Sequence, residues 1–311
     1  MSSRIAFLFP GQGSQSVGMG QDINDRYPAA KALFEQADES LGFGLSSLCF
    51  DGPIEELTQT KNAQPALLLH SMAVSQIFAA ANIVPELVAG HSLGEFSAAA
   101  AVGVMDVSDA LAVVRRRGEL MWQAGQSVPG TMAAVIGLDR ESCERVCAAS
   151  SEGVAVVANR NSPNQLVISG DVAALAALGP QLKEAGAKRV LPLNVSGAFH
   201  SPLMEVVQSE FSEFLDAIDF RDATAPVVTN VKAAPESDAS ELRAGFVAQL
   251  VSPVLWHDSV AQMVEAGIDC FVEIGPGKVL TNMGSRAFRD VQFLSTGDVD
   301  GIEKTLASLA S

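Results

Sequence analysis

The chain has 311 residues, 48% of them hydrophobic, which is length enough for one large core or for a large and a small one. Its formal net charge of −16 repels polyanions at long range, and no basic stripe with interleaved aromatics offsets it, so nucleic-acid binding is excluded. Aromatics make up only 6%, so the core is expected to be built of Ala, Val, Leu and Ile, a composition that favours an α/β class with a buried sheet.

The first predicted strand, Ile5 to Phe9, is too short for a signal peptide or a membrane span, and it ends in Pro10-Gly11-Gln12-Gly13-Ser14. Helical patterns follow at 28–41, 53–58 and 65–82. A short strand, Leu87 to Gly90, leads through His91-Ser92 into an Ala-rich helix from about Glu95, and another helix covers 108–124. Strands alternating with helices argue for parallel crossovers.

The stretch 131–194 has a different rhythm. Strands are predicted at Met132–Gly137, Val154–Ala158, Gln165–Ser169 and Lys188–Leu193, with helices at Arg140–Ser150 and 171–186. The order βαββαβ is the ferredoxin-like split motif, with Asn161-Ser162-Pro163-Asn164 as its central hairpin turn. It reads as a small domain, 129–197, inserted into a large domain made of 1–128 and 198–311. Beyond it come a helix at 202–218, a strand at Pro226–Thr229 and helices at 239–250 and 254–267. Strand Cys270–Ile274 then ends in Gly275-Pro276-Gly277.

Cys49, Cys143, Cys147 and Cys270 form no zinc-ligand pattern and read as buried thiols of a reducing compartment; no metal site and a soluble, cytoplasmic protein are expected.

Gly90-His91-Ser92-Leu93-Gly94 is a Gly-x-Ser-x-Gly segment between a strand and a helix, the arrangement of a nucleophile elbow. The glycines leave room for a serine on a strained turn, and the following helix directs amide groups toward charge developing on a substrate oxygen. Serine needs a base. His91 adjoins Ser92 on the tight turn, so its side chain points elsewhere, and His70 lies in an apolar helix as a core residue. His257 is followed by Asp258, but neighbours on a helix diverge by about 100° and do not face each other. His200 sits in a loop, where catalytic side chains concentrate, and is favoured; His257 stays open on these grounds.

Several segments fall in one order: Phe9 to Gln15, Gln64-Pro65-Ala66-Leu67, Gly90 to Glu95, Arg117-Gly118 with Met121, Gly197 to Ser201, and Glu273 to Gly277. Together they resemble the malonyl-CoA:acyl-carrier-protein transacylases of bacterial type II fatty-acid synthesis and the acyltransferase domains of polyketide synthases, nearly end to end. The resemblance implies an α/β-hydrolase-like large domain with a parallel sheet core, and a cofactor-independent transfer from malonyl-CoA to an acyl carrier protein. It implies Ser92 as nucleophile, His200 as base, the backbone carbonyl of Gln249 as the group orienting His200, and the N–H groups of Gln12 and Leu93 as oxyanion hole. Arg117, with Gln64 beside it, would bind the malonyl carboxylate, since guanidinium grips a carboxylate through two parallel bonds. Arg115 and Arg116 point elsewhere, to a solvated face. Phe199 matches the malonyl-selecting form of its motif. No membrane contact and a monomer are expected.

Two rivals come from other classes. A serine thioesterase or esterase would follow the order Ser, acid, His and nominate His257. A non-catalytic carrier-binding module would not need the serine, histidine and arginine together. Because carrier proteins are generally acidic, a local basic patch is expected, with Lys183, Lys188, Arg189 and Arg160 as its candidates.

Overall fold

A computed structural model describes residues 3–310. In chain order the first half runs β1 (Ile5–Phe9), α1 (Gln21–Arg26), α2 (Pro28–Leu41), α3 (Leu45–Asp51), α4 (Ile54–Leu57), α5 (Thr60–Ala80), β2 (Leu87–Gly90), α6 (Leu93–Ala101) and α7 (Val107–Ser127). Then come β3 (Gly130–Ile136), α8 (Arg140–Ala148), β4 (Ala155–Ser162), β5 (Gln165–Asp171), α9 (Val172–Glu184) and β6 (Arg189–Pro192). The last third holds α10 (Gln208–Leu215), β7 (Val227–Val228), β8 (Pro235–Glu236), α11 (Ala239–Gln249), α12 (Trp256–Glu265), β9 (Cys270–Glu273), α13 (Val279–Ala287), β10 (Gln292–Ser295) and α14 (Val299–Leu309).

These elements build two sheets. The larger has the order β10-β9-β1-β2-β7-β8, parallel except for the β7–β8 pair. Its central strands are buried on both faces, which is why they read as continuous apolar runs. Phe9 pairs with Gly90, so β1 and β2 end side by side and their exit loops share one edge. Open parallel sheets place ligands at that carboxyl edge. The smaller sheet, β4-β5-β3-β6, is antiparallel throughout, the ferredoxin-like order expected. Its inward side chains Ala133, Val135, Leu166 and Ile168 pack with Leu175, Leu178 and Leu182 of α9 in a cluster of their own.

Two elements depart from expectation for identifiable reasons. The helix predicted from residue 65 begins at Thr60, so Pro65 lies inside it. Proline cannot donate to the carbonyl four residues back. That carbonyl, of Lys61, accepts from Arg115 Nη1 instead at 3.0 Å, and the helix runs through. The helix expected over 202–218 is a 3-10 turn, Pro202–Val207, followed by the short α10. Elements after Gly277, and the short α1 and α3, were not predicted at all. All four cysteines are free and buried, and among the described residues no helix is long and apolar enough to cross a membrane.

Candidate active site

Ser92 occupies the sharp turn between β2 and α6 with φ 52° and ψ −105°, a conformation costly for a residue with a Cβ. Its flanking glycines are required by contact. A Cβ on Gly90 would lie 1.8 Å from the Gly94 carbonyl carbon, and one on Gly94 2.0 Å from Phe9 O. The turn therefore packs directly on the end of β1.

His200 also has positive φ, 58°. Its Nε2 is 2.7 Å from Ser92 Oγ, and its Nδ1 is 2.8 Å from the backbone carbonyl of Gln249 at the end of α11. A carbonyl only accepts, so Nδ1 carries the proton and Nε2 accepts from the serine hydroxyl. Burial, reinforced by the positive Arg117, pushes the imidazole down to about 3, so it stands neutral with its Nε2 lone pair turned to the serine hydroxyl.

Arg117 comes from α7, which crosses α5 closely: a Cβ on Gly118 would lie 2.7 Å from Thr60 O. The guanidinium is buried. Its Nη1 donates to Gln64 Oε1 at 2.9 Å, and its Nη2 reaches Gln249 Oε1 at 2.8 Å and Ser92 Oγ at 3.2 Å. Its Cζ sits over the Phe96 ring, 5.2 Å from the centroid. Burial lowers its affinity for a proton to about 10, still cationic at neutral pH. Arg115 and Arg116 do point elsewhere, but they are not simply solvated: Arg115 pairs with Glu119 at 2.7 Å and Arg116 with Glu210 and Glu119.

Leu93 opens α6, where first-turn N–H groups have no intrahelical acceptor, and Gln12 follows the end of β1 alongside. The Gln12 side chain is held off the site by Thr60 Oγ1 at 3.3 Å, which in turn meets Ser196 Oγ at 3.0 Å. Gln12, Ser92, Leu93, Arg117, Phe199 and His200 line one cleft of about 410 Å³, roofed by Asn159, Asn161 and Val167 of the smaller sheet. A cleft of this size suits a small acyl group on an extended arm.

Three polar residues that brace this arrangement were not read from the sequence as site residues. Asn230, just beyond β7, accepts the Ser92 N–H on Oδ1 at 2.7 Å and donates to Gly90 O at 2.7 Å. Glu95 is fully buried, and its Oε2 accepts from Asn230 N–H and from Gln249 Nε2, each at 2.9 Å. A carboxylate inside the run Leu93–Ala101, otherwise almost all apolar, was the available signal. Asn161 meets His91 Nε2 at 2.9 Å, tying the elbow to the smaller sheet, while the His91 ring packs 5.5 Å from Trp256.

His257 stacks on Phe288 at 5.1 Å, whereas it is His200 that bonds to Ser92. Of the four basic patch candidates, Lys183, Lys188 and Arg189 are exposed. Arg160 is neutralised by Glu144 at 2.9 Å and Asp258 at 3.8 Å, so it drops out as a free cation.

Comparison with known proteins matches residues 6–305 to the acyl transferase domain family. A malonyl CoA-acyl carrier protein transacylase of Bacillus subtilis (strain 168) is 45% identical over 99% of this chain and 98% of its own. A crystal structure of an acyl carrier protein S-malonyltransferase from Vibrio cholerae superposes with a TM-score of 0.94 at 40% identity, covering 97% of this chain and all of the other. A malonyl-transacylase solved in complex with its type II polyketide acyl-carrier protein gives 0.95 at 38% identity, over 98% and 100% of the two chains. Fold, motif order and near-complete coverage agree: the chain belongs to the acyl transferase family and, within it, to the malonyl CoA-acyl carrier protein transacylases.

Proposed function

We propose that the chain moves a malonyl group from malonyl-CoA to the phosphopantetheine thiol of an acyl carrier protein, in two half-reactions through an ester on Ser92. The observation that carries this reading is the convergence of a neutral imidazole and a buried guanidinium on one hydroxyl, at 2.7 Å and 3.2 Å.

In the first half-reaction His200 Nε2 takes the Ser92 proton as Oγ attacks the thioester carbonyl. The negative oxygen that develops is met by the N–H groups of Gln12 and Leu93, a donor pair of which each member is worth on the order of 3 kcal/mol. Collapse breaks the C–S bond, and the imidazolium returns its proton to the departing CoA thiolate. The second half-reaction reverses these roles: His200 takes the proton of the carrier thiol, the sulfur attacks the ester, and Ser92 leaves with the proton. The Gln249 carbonyl keeps the imidazole in the required tautomer through both steps. Arg117 binds the malonyl carboxylate, with Gln64 and Gln249 holding the guanidinium in plane. Exposed Lys183, Lys188 and Arg189 are offered to the acidic carrier.

The same reading divides the chain into a catalytic domain, 1–128 with 198–311, and an inserted domain, 129–197; the separate apolar cluster of the smaller sheet supports it. Similarity to the transacylase solved with a polyketide carrier keeps the polyketide version of this transfer as a second reading, and kcat/KM with carriers of both kinds separates the two.

The test is intact-mass measurement after mixing with malonyl-CoA. A single malonyl adduct, absent from Ser92→Ala and discharged by holo carrier protein, is expected. An enzyme that transfers malonyl with no adduct on Ser92 would overturn the mechanism.

A further inference from the structure

Glu95 is used by none of the steps above, yet it lies behind all of them. One of its oxygens accepts from the Asn230 N–H and from Gln249 Nε2, both at 2.9 Å. Asn230 holds the Ser92 N–H, and the Gln249 main chain holds His200. The Gln249 side chain is the direct link to the clamp: its Oε1 accepts from Arg117 Nη2 at 2.8 Å while its Nε2 donates to the Glu95 carboxyl. A single amide thus lies between a buried cation and a buried acid, polarised by both ends. The second oxygen of Glu95 has no hydrogen-bond partner.

We propose that Glu95 is a positioning residue that serves as the relayed counter-ion of Arg117, and that an incoming malonyl carboxylate takes over that role. This rests on the reading of Arg117 as the malonyl clamp. In the empty site one guanidinium is balanced by one carboxylate across Gln249. Once malonyl is bound, two carboxylates face the same guanidinium, and like charges sharing a site cannot both stay ionised without cost. Malonyl binding therefore raises the proton affinity of Glu95, and by reciprocity a charged Glu95 weakens the grip on malonyl. A donor with no free carboxylate, such as acetyl-CoA, is exempt.

The electrostatic surroundings suit such an exchange. Burial raises the Glu95 carboxyl to about 7, opposed by its bonds to Gln249 and Asn230 and by the charge of Arg117. Helix α6 packs on β1, β2, β7, α5 and α7 and, through Phe96, on Phe211 of α10 and Phe246 of α11; Arg117 of α7 is the charged group among them that acts on Glu95. His70 on α5 is held down to about 4 and His200 to about 3, and burial also lowers His91, so the imidazoles of this site are shifted toward the neutral form while the Glu95 carboxyl is shifted up toward neutrality.

The experiment compares the KM for malonyl-CoA with the inhibition constant of acetyl-CoA, in the full chain and in Glu95→Gln, from about pH 6 to about pH 8.5. The amide keeps an oxygen for Gln249 and Asn230 but no charge. In the unaltered enzyme the malonyl KM, taken relative to the acetyl constant, is expected to rise with pH by on the order of tenfold, the change that one pH unit of coupling between the two sites produces. In E95Q the ratio is expected to stay at its low-pH value throughout. A ratio that is flat in the unaltered enzyme, or that still rises in E95Q, overturns the proposal; the first of these stands even if E95Q fails to fold. A purely structural role would shift both ligands together and leave their ratio alone. Failure of the clamp reading has a different signature: Arg117→Ala would then leave the malonyl KM unchanged.

Discussion

The two sheets divide the labour of the site in a way their side-chain patterns explain. Strands of the larger sheet are buried on both faces, so they have no side to offer a ligand, and the chemistry collects at their carboxyl ends, in the turns after β1 and β2. Strands of the smaller sheet alternate. Ala133, Val135, Leu166 and Ile168 face their own helices, and the residues between them, Met132, Ala134, Gln165 and Val167, face the cleft. Register shifts in β4 at Val157/Asn159 and Arg160/Ser162 adjust which residues of that strand meet the cleft, among them Asn159 and Asn161. One sheet thus holds the candidate reacting groups by its ends, and the other supplies a wall by its face. Reaction and enclosure should be separable by mutation.

The largest effects are expected at the ends of the larger sheet. Ser92→Ala and His200→Ala should each reduce malonyl transfer to background in a coupled thiol assay, with His257→Ala close to unaltered. An essential His257 would revive a hydrolase reading. Next is Arg117→Ala: if Arg117 clamps malonyl as proposed, a charge-assisted contact of about 3 kcal/mol is lost, so malonyl kcat/KM should fall roughly 100-fold or more while acetyl transfer is kept or improved. Equal losses for both donors would mean that the guanidinium serves the fold rather than the substrate. A wall residue should do less. Asn161→Ala cuts the bond to His91 across the two sheets, and should raise the malonyl-CoA KM a few-fold with kcat nearly unchanged; a collapse of kcat would show that the wall takes part in the chemistry.

Acidification probes the same division through stability. His200, His70 and His91 bind protons more weakly in the folded chain than the ordinary imidazole does, because burial disfavours their charged forms. The unfolded chain therefore takes up protons first as pH falls below about 6.5, and folding stability declines from there by up to about 1.4 kcal/mol per pH unit for each such histidine. For His200 the loss continues down to about 3 and for His70 to about 4. All three lie outside the smaller sheet, His70 in α5, His91 in the turn after β2 and His200 in the loop before Pro202, so Tm measured across that range should fall, and replacing His70 by a neutral residue of similar size should flatten part of the slope.

Much of this was legible in the sequence because local rules carry it. The elbow is marked by two glycines that contact requires, the strands by apolar runs, and the inserted motif by its βαββαβ rhythm. What escaped depends on long-range pairing. Glu95 and Asn230 are 135 positions apart and Glu95 and Gln249 154, and no periodicity links them. Pro65 suggested a helix start, but the helix begins at Thr60 and runs through it, because the carbonyl that Pro65 orphans finds a donor 54 residues away. β8 and, beyond Gly277, β10 were missed because they are short edge strands with little apolar signal.

Both members of the candidate dyad hold backbone conformations that glycine adopts more cheaply than serine or histidine. Replacing either by glycine would relieve strain of about 1 kcal/mol or more at that position, against the loss of its side-chain contacts. If these two residues form the proposed dyad, relaxation and inactivation point the same way at both positions. A lineage released from the need to transfer acyl groups would find drift at positions 92 and 200 opposed by little in the backbone, and such decayed copies should lose the dyad before they lose the elbow glycines, whose removal the fold itself forbids.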